Sequence, residues 1–280
     1  MEVLLRLPMP CWLRGLYDKL QTMNLIDTHA HLYLPHFKDD VDRVIENAAN
    51  KNVIKILLPN IDLESARPML ELCKRYRTQC YPMLGLHPNS VKDDFRHQLS
   101  TLEQMAGDNE FVAIGETGMD AYRDTTFLGE QEASFITHLE WAKIMGLPVV
   151  IHSRETMNKI LAIVKSHSGN GLRGVFHAFS GSVEQALEIA DLGFKIGLGG
   201  VVTYRNSGLE PVVRAVDLKD IVLETDSPYL TPAPNRGKRN ESAYLHFIAE
   251  KIAELKDLTF EEVANVTTEN ACELFNLKPE

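Results

Sequence analysis

The chain has 280 residues, of which 44% are hydrophobic and 24% are charged, as in an ordinary globular protein. Its formal net charge of −10 excludes a broad basic surface of the kind that binds long duplex DNA. No apolar run approaches the ~20 residues that a membrane-spanning helix needs. The length allows one large domain or two small ones.

The first 22 residues are predicted to form an extension that precedes the domain. The stretch "MEVLLRLPMPCWLRGLYDKLQT" is interrupted by Arg6, Arg14 and two prolines, and it lacks the apolar core and cleavage site of a signal peptide. Met23 stands directly before the first predicted strand, which suggests that it is the true start of the protein. We therefore predict that residues 1–22 are not part of the core and that residues 23–280 form a single domain.

The cysteine pattern indicates a reducing compartment. The four cysteines form no CxxC pair, and their spacing matches neither a zinc knuckle nor a disulfide framework; they are Cys11, Cys73, Cys80 and Cys272. Reduced thiols in the cytoplasm are the simplest interpretation.

Beyond Met23, short apolar runs alternate with amphipathic stretches of helical period. Eight such runs occur, and they are "LIDTHAHL", "VIKILLPN", "CYPMLGLHP", "FVAIGETGMD", "PVVIHS", "RGVFHAFS", "FKIGLGGVV" and "IVLETDSP". The helical stretches include "DDVDRVIENAANK", "LGEQEASFITHLEWAKIMG" and "SVEQALEIADLG". Gly146 and Gly193 stand where a glycine is expected to end a helix.

This alternation predicts a (β/α)₈ TIM barrel, with a doubly wound open sheet as the alternative. The stretch "LTFEEVANVTTENACELFNL" predicts one additional helix at the C-terminus. The stretch "TPAPNRGKRNES", residues 231–242, is the one strongly loop-like and basic segment.

Polar side chains mark the ends of six of the eight runs. His29 and His31 are separated by one residue, so in a strand they would point to the same side. The remaining members of this set are His87, Glu116, Asp120, His152, His177 and Asp226. Because the active sites of barrels lie at the C-terminal ends of the strands, these groups are expected to converge on one mouth.

Imidazoles and carboxylates are the ligands expected for zinc and related divalent ions. Four imidazoles and two carboxylates exceed what one tetrahedral site needs, and they fit two ions that share a bridging carboxylate; the candidates are His29, His31, His152, His177, Glu116 and Asp226. The other histidines fall in loops or helical stretches and are predicted to be non-functional; they are His36, His97, His138, His167 and His246.

Taken together, these motifs resemble the TatD family of metal-dependent hydrolases, within the amidohydrolase-like barrels. The matching stretches keep the family order over residues 25 to about 240, and they are "IDTHAHL", "GLHP", "AIGETGMDAYRD", "VIHSRET", "FHAFSGS" and "LETDSPYLTP". Many amidohydrolase barrels bridge their metals with a carboxylated lysine from strand four. This chain has Glu116 there and no lysine, which favours the TatD-like branch.

The resemblance implies two metal sites. One ion would be held by His29, His31, Glu116 and Asp226, and the second by Glu116, His152 and His177. The ions would be zinc, manganese, magnesium, nickel or iron. The resemblance also implies that Arg154, Arg236 and Arg239 lie in phosphate-contacting segments.

These assignments predict a deoxyribonuclease, a 3′–5′ exonuclease or repair nuclease. Asp226 would act as the general base, and His87 would bind the phosphate or orient the water. The acidic charge favours single-stranded ends as the substrate, and a base could stack on Tyr122, Tyr204 or Tyr229.

Two other classes remain open at this level. A hydrolase of small amide, ester or phosphate substrates would use the same dinuclear site, because fold does not determine function. A non-enzymatic barrel is the third hypothesis, and the intact ligand set argues against it. A monomer that does not associate with membranes is expected.

Overall fold

The computed structural model describes residues 23–122, 124–169 and 171–278. The predicted extension, with Cys11, lies outside these ranges, so its assignment stays a prediction. The described residues include all eight apolar runs and every candidate metal ligand.

Eight parallel strands form one sheet in which each strand pairs with the next along the chain. The first and last strands meet, since the Thr28 amide donates to the Leu223 carbonyl at 3.0 Å and Ala30 bridges Ser227. This closure confirms the predicted barrel and excludes the open sheet. The strands are β1 Leu25–Asp27, β2 Val53–Pro59, β3 Cys80–Leu84, β4 Ala113–Asp120, β5 Val149–Arg154, β6 Gly174–Phe176, β7 Lys195–Leu198 and β8 Ile221–Leu223.

One α-helix follows each of the first seven strands, and two α-helices follow the last. In the described part of the chain they are α1 Val41–Ala49, α2 Leu63–Arg75, α3 Phe95–Asp108, α4 Leu128–Met145, α5 Met157–His167, α6 Val183–Asp191, α7 Glu210–Ala215, α8 Leu245–Lys256 and α9 Phe260–Phe275. Helix α4 ends at Gly146 in the left-handed conformation, with φ of 66°, as the sequence predicted.

Helix α9 is the predicted additional helix, and it closes the N-terminal end of the barrel. Its apolar residues Ala271, Leu274 and Phe275 pack with interior side chains of the strands, such as Ile26 and Val150. The candidate ligands lie at the opposite, C-terminal ends of the strands.

The first strand is shorter than the sequence suggested. It ends at Asp27, and His29 and His31 lie in the extended segment that continues from it. Two backbone hydrogen bonds hold this segment against the residues that follow β8. The Asp226 amide donates to the His29 carbonyl, and the His31 amide donates to the Ser227 carbonyl, both at 2.8 Å. The expected same-side placement is retained, because the two Nε2 atoms are 3.3 Å apart.

Candidate metal centre

Seven side chains from six strands meet at the C-terminal mouth of the barrel. Glu116 lies at the centre of this group, is 2% exposed, and contacts five histidines. The group comprises His29 and His31 after β1, His87 after β3, Glu116 in β4, His152 in β5, His177 after β6 and Asp226 after β8.

One oxygen of the Glu116 carboxylate faces the histidines that follow β1. Glu116 Oε2 lies 3.1 Å from His29 Nε2 and 3.7 Å from His31 Nε2. Asp226 completes this side, with Oδ1 3.5 Å from His31 Nε2 and 3.9 Å from His29 Nε2. Two imidazole nitrogens and two carboxylates therefore point at a common space.

The other Glu116 oxygen faces a separate set of histidines. Oε1 lies 2.9 Å from His152 Nδ1, 3.4 Å from His177 Nε2 and 3.4 Å from His87 Nε2. The carboxylate thus has one oxygen on each of two ligand groups, which is the arrangement of a bridging ligand. Groups of donor atoms within 4.8 Å of one another occur on both sides of it.

The electrostatics of the mouth favour a cation. Burial opposes a charge on His177, yet the carboxylates of Glu224 and Glu116 raise its pKa to about 10. Burial likewise opposes ionisation of Glu116, yet the imidazoles of His87, His177 and His29 hold its pKa well below its usual value. A buried pocket that stabilises positive charge, lined by imidazole and carboxylate donors, fits divalent metal ions.

Asp226 adopts a left-handed backbone conformation, with φ of 54°, directly after β8. Aspartate tolerates this conformation better than most residues. Burial raises the pKa of Asp226, but its contact with His31 and the charges of His177 and His29 outweigh it and lower the pKa. The Asp226 side chain is 14% exposed, so its carboxylate contacts the candidate ligand histidines and is also accessible to solvent at the mouth.

His87 lies beside the second ligand group, and its proton can be located. The Asn89 amide donates to His87 Nδ1 at 3.1 Å, so Nδ1 is an acceptor and the proton is on Nε2. Nε2 faces Glu116 Oε1. His87 can therefore offer an N–H group to a ligand at the mouth.

Sequence reasoning missed Glu224 and gave no role to Asp120. Glu224 is buried, and its Oε1 lies 3.0 Å from His177 Nδ1 and accepts from the Ala178 amide at 2.5 Å. Asp120 Oδ2 lies 3.1 Å from His152 Nε2. Each carboxylate faces the ring nitrogen that points away from Glu116, as the outer partners of metal-binding histidines do.

A signal for both acids exists in the sequence. Glu224 is a carboxylate at the end of a buried apolar run, and Asp120 is four residues beyond Glu116 at the end of the same run, "FVAIGETGMD". Buried carboxylates require hydrogen-bond donors or cations as partners, so their presence in these runs indicates polar groups nearby.

Buried polar contacts fix the backbone under the ligands. Asp27 accepts from the Thr225 hydroxyl at 2.6 Å and from the Thr225 amide at 2.9 Å, which ties the end of β1 to the segment that carries Asp226. The Asn60 side chain donates to the Gly85 carbonyl at 2.8 Å. The backbone amide of Asn60 donates to the Gly115 carbonyl, and the Asn60 carbonyl accepts from the Glu116 amide.

The arginines predicted to contact phosphate lie in three different environments. Arg154 is exposed and stacks on Tyr122, with its guanidinium carbon 3.7 Å from the ring centroid, and Arg236 stacks on Tyr204 at 4.4 Å. Arg239 instead forms two 2.7 Å contacts with the Asp40 carboxylate. Its guanidinium therefore ties the basic loop to the N-terminus of α1.

The three candidate stacking rings also differ. Arginine covers one face of Tyr122 and of Tyr204, and the Tyr204 hydroxyl donates to the Thr231 carbonyl at 2.9 Å. Tyr229 is 48% exposed, and its ring centroid lies 6.3 Å from that of His31. Tyr229 is thus the ring next to the metal-ligand group.

The histidines predicted to be non-functional lie away from Glu116. His97, His138 and His167 are on helices of the outer ring, as is His246. His36 is exposed, and its ring centroid is 6.1 Å from that of Tyr229. His138 is buried and accepts a hydrogen bond from the Leu86 amide at 3.0 Å.

None of the helices in the described ranges has the length and apolarity to cross a bilayer.

Comparison with known proteins gives consistent results. The family model described as "TatD related DNase" matches residues 26–276. The uncharacterized metal-dependent hydrolase YabD of Bacillus subtilis is 36% identical over 254 residues, covering 90% of this chain and 99% of YabD. The uncharacterized metal-dependent hydrolase YcfH of Escherichia coli is also 36% identical, covering 91% and 97%.

A solved structure agrees with these matches. The crystal structure of YjjV, a TatD homologue from Escherichia coli, superposes with a TM-score of 0.86 at 33% identity and covers 91% of this chain and 98% of YjjV. The family match spans the whole barrel and all candidate ligands. The chain is therefore a member of the TatD-related family of metal-dependent hydrolases.

Proposed function

We propose that this protein is a metal-dependent deoxyribonuclease that removes nucleotides from single-stranded 3′ ends. The observation that carries the proposal is the Glu116 carboxylate, which presents one oxygen to each of two ligand groups. Its family is described as related to DNases, which supports DNA as the substrate.

The side chains named above would hold two divalent ions. His29, His31 and Asp226 would hold the first, His152 and His177 the second, and Glu116 both. When bound, two such ions would supply a water of lowered pKa and a counter-charge for the phosphodiester.

The protein's own groups supply the proton chemistry and the positioning. Asp226 has a lowered pKa, so it is ionised at neutral pH and accepts the proton of the attacking water as general base. His87 presents its Nε2–H toward the same space and donates to a phosphate oxygen or orients the water.

Arg154 and Arg236 are the proposed phosphate contacts outside the metal centre. Each guanidinium lies over a tyrosine ring, which limits the positions it can take, and a guanidinium can make a bidentate contact with a phosphate. The contacts of Arg239 with Asp40 assign it to holding the loop. We place the terminal base on Tyr229, whose half-exposed ring lies beside His31.

The net charge of −10 supports action on strand ends. Binding along duplex DNA requires many basic contacts, whereas a strand end can be held by two arginines and one ring. Among the described residues, Cys73 and Cys80 are buried free thiols, which supports a reducing, cytoplasmic environment. We further propose that the protein acts as a monomer.

The test combines metal content with cleavage of an end-labelled oligonucleotide. Protein purified without chelator is expected to hold about two ions per chain and to shorten single-stranded DNA from the 3′ end, with loss of both in EDTA. Glu116→Ala should lose metal and activity together. Glu132→Ala, which replaces a glutamate on the outer helix α4, is the matched control.

Each result has a defined meaning. Bound metal with intact DNA would contradict the nuclease proposal and move the substrate to a small ester, amide or phosphate. If Glu116→Ala kept two ions and normal cleavage, the bridging assignment would be wrong.

A further inference from the structure

The hydroxyl of Tyr33 lies between a metal-ligand histidine and the end of a barrel strand. Its oxygen is 2.9 Å from His31 Nδ1 and 2.5 Å from the Pro59 carbonyl oxygen. Pro59 is the last residue of β2 and is paired with Met83 of β3, so the carbonyl belongs to the rigid part of the barrel.

This geometry determines the direction of both hydrogen bonds. A carbonyl oxygen has no proton, so the single hydroxyl proton of Tyr33 is donated to Pro59. The hydroxyl oxygen must then accept from His31, which places a proton on His31 Nδ1.

The consequence lies at the other side of the ring. In a neutral imidazole with its proton on Nδ1, the Nε2 lone pair is free to bind a metal. His31 Nε2 points at the first ligand group, 3.3 Å from His29 Nε2 and 3.5 Å from Asp226 Oδ1.

We infer that Tyr33 is a positioning residue that fixes the Nδ1–H tautomer of His31 and thereby strengthens the metal site formed by His29, His31, Glu116 and Asp226. The inference rests on the metal site of the proposed function and is independent of the DNA substrate.

The role belongs to the hydroxyl group and is separate from packing. The Tyr33 ring packs against the main hydrophobic core, and a phenylalanine would fill the same space. The neighbouring ligand has no equivalent support, because His29 Nδ1 is buried with no hydrogen-bond partner among the residues the structure describes. Tyr33 therefore orients the ligand group after β1 through His31.

The test is a zinc titration of the full, chelator-stripped chain against a competing chelator. Tyr33→Phe should weaken zinc binding at one site by about 10- to 100-fold, the effect of removing an outer partner of a metal-binding histidine. The site formed by His152 and His177 should keep its affinity, since Tyr33 does not contact them.

Tyr81→Phe is the matched control. The Tyr81 hydroxyl also accepts from a side chain, Lys55 Nζ at 3.3 Å, and donates to a carbonyl, that of Thr78 at 3.2 Å. Tyr81 packs with the cluster that α9 closes, at the other end of the barrel. Removal of the Tyr81 hydroxyl should therefore leave the zinc affinities of both sites unchanged.

A spectroscopic measurement tests the tautomer directly. In zinc-loaded, ¹⁵N-histidine-labelled protein, the Nδ1–H proton of His31 should be hydrogen-bonded and protected from exchange, and Tyr33→Phe should remove this protection. Circular dichroism at each step verifies that the variants are folded.

Two outcomes would overturn the inference: zinc binding by Tyr33→Phe within twofold of the wild type, or an equal loss at both sites, which indicates general damage. Failure of the wild type to bind zinc would overturn the metal site itself. Zinc binding as expected, together with intact DNA, would contradict the nuclease proposal and leave this inference standing.

Discussion

At the scale of single residues, Asp226 shows how the environment assigns a role to a carboxylate. It shares the mouth with Glu116, but Glu116 is enclosed by histidines on both oxygens, whereas Asp226 is 14% exposed and contacts one ligand group. We therefore propose Glu116 as the group needed to hold metal and Asp226 as the group that exchanges a proton with water.

Asp226→Asn is expected to keep most of the bound metal and to lower kcat by about 10²- to 10⁴-fold, because the amide cannot accept the proton. Metal analysis and single-turnover cleavage measure the two effects separately. Asp257→Asn is the control, since Asp257 has a similar left-handed φ of 55° and ends α8 far from the mouth. Full activity of Asp226→Asn would exclude Asp226 as the base.

His138 illustrates a buried titratable group outside the metal centre. Burial lowers the pKa of His138 to about 4 from the usual value near 6.5. Its Nδ1 donates to the Ser134 carbonyl at 2.7 Å, so Nε2 is the acceptor for the Leu86 amide. The ring must be neutral to make the second bond.

The folded state thus binds fewer protons at His138 than the unfolded state between pH 6.5 and about 4. The contribution of neutral His138 to the free energy of unfolding should be fully present above pH 6.5. It should fall by on the order of 3 kcal/mol as the pH drops toward 4. Urea unfolding in EDTA at several pH values measures this slope. His138→Gln should reduce it relative to the wild type, and His97→Gln, at an exposed position, should not; equal slopes in all three proteins would refute the role of His138.

At the scale of secondary-structure elements, the contact between β4 and β5 sets the spacing of two ligands. Gly118 pairs with His152 across these strands and has φ of 139°. A Cβ atom at Gly118 would lie 2.0 Å from the His152 carbonyl oxygen, which is backbone and cannot rotate away. The absence of a side chain at Gly118 allows His152 to approach Glu116.

Gly118→Ala is expected to destabilise the protein by about 1–3 kcal/mol or more and to weaken metal binding, because β5 must move away from β4. Gly129→Ala is the control, since its added methyl group meets nothing within 4 Å in helix α4. Denaturant unfolding and metal content test both variants. If Gly118→Ala were as stable as the wild type, β5 could move away from β4 at no cost, and the close contact at Gly118 would not set the position of His152.

At the scale of the whole molecule, the charge distribution limits how DNA can be bound. The net charge is −10, and the proposed phosphate contacts outside the metal centre are Arg154 and Arg236. Few basic contacts release few counterions, so affinity for a strand end should depend weakly on salt.

Two phosphate contacts predict a slope of about −1.4 for log K against log salt on single-stranded DNA, at roughly −0.7 per contact. Fluorescence anisotropy with the inactive Asp226→Asn variant measures it between 50 and 200 mM salt. Arg154→Ala and Arg236→Ala should each reduce the slope by about 0.7, while Arg67→Ala on α2 should not. A wild-type slope steeper than about −4 would indicate a larger basic surface.

The sequence by itself determined the barrel and the types of the candidate ligands. Eight apolar runs alternating with helical stretches specify parallel strands with covering helices, and the positions of His29, Glu116, His152 and Asp226 at run ends place them at one mouth. These features are periodic and local, so they can be read along the chain.

Only the tertiary structure decided which atoms face each other. The division of the two Glu116 oxygens, the contact of Glu224 with His177 and the bond from His31 to Tyr33 depend on side-chain orientation and on closure of β1 against β8. Arg239 showed the same limit: its sequence context resembles a phosphate contact, yet Asp40, 199 residues away, holds its guanidinium. Contacts between distant segments arise from packing in three dimensions, and no local pattern in the chain encodes them.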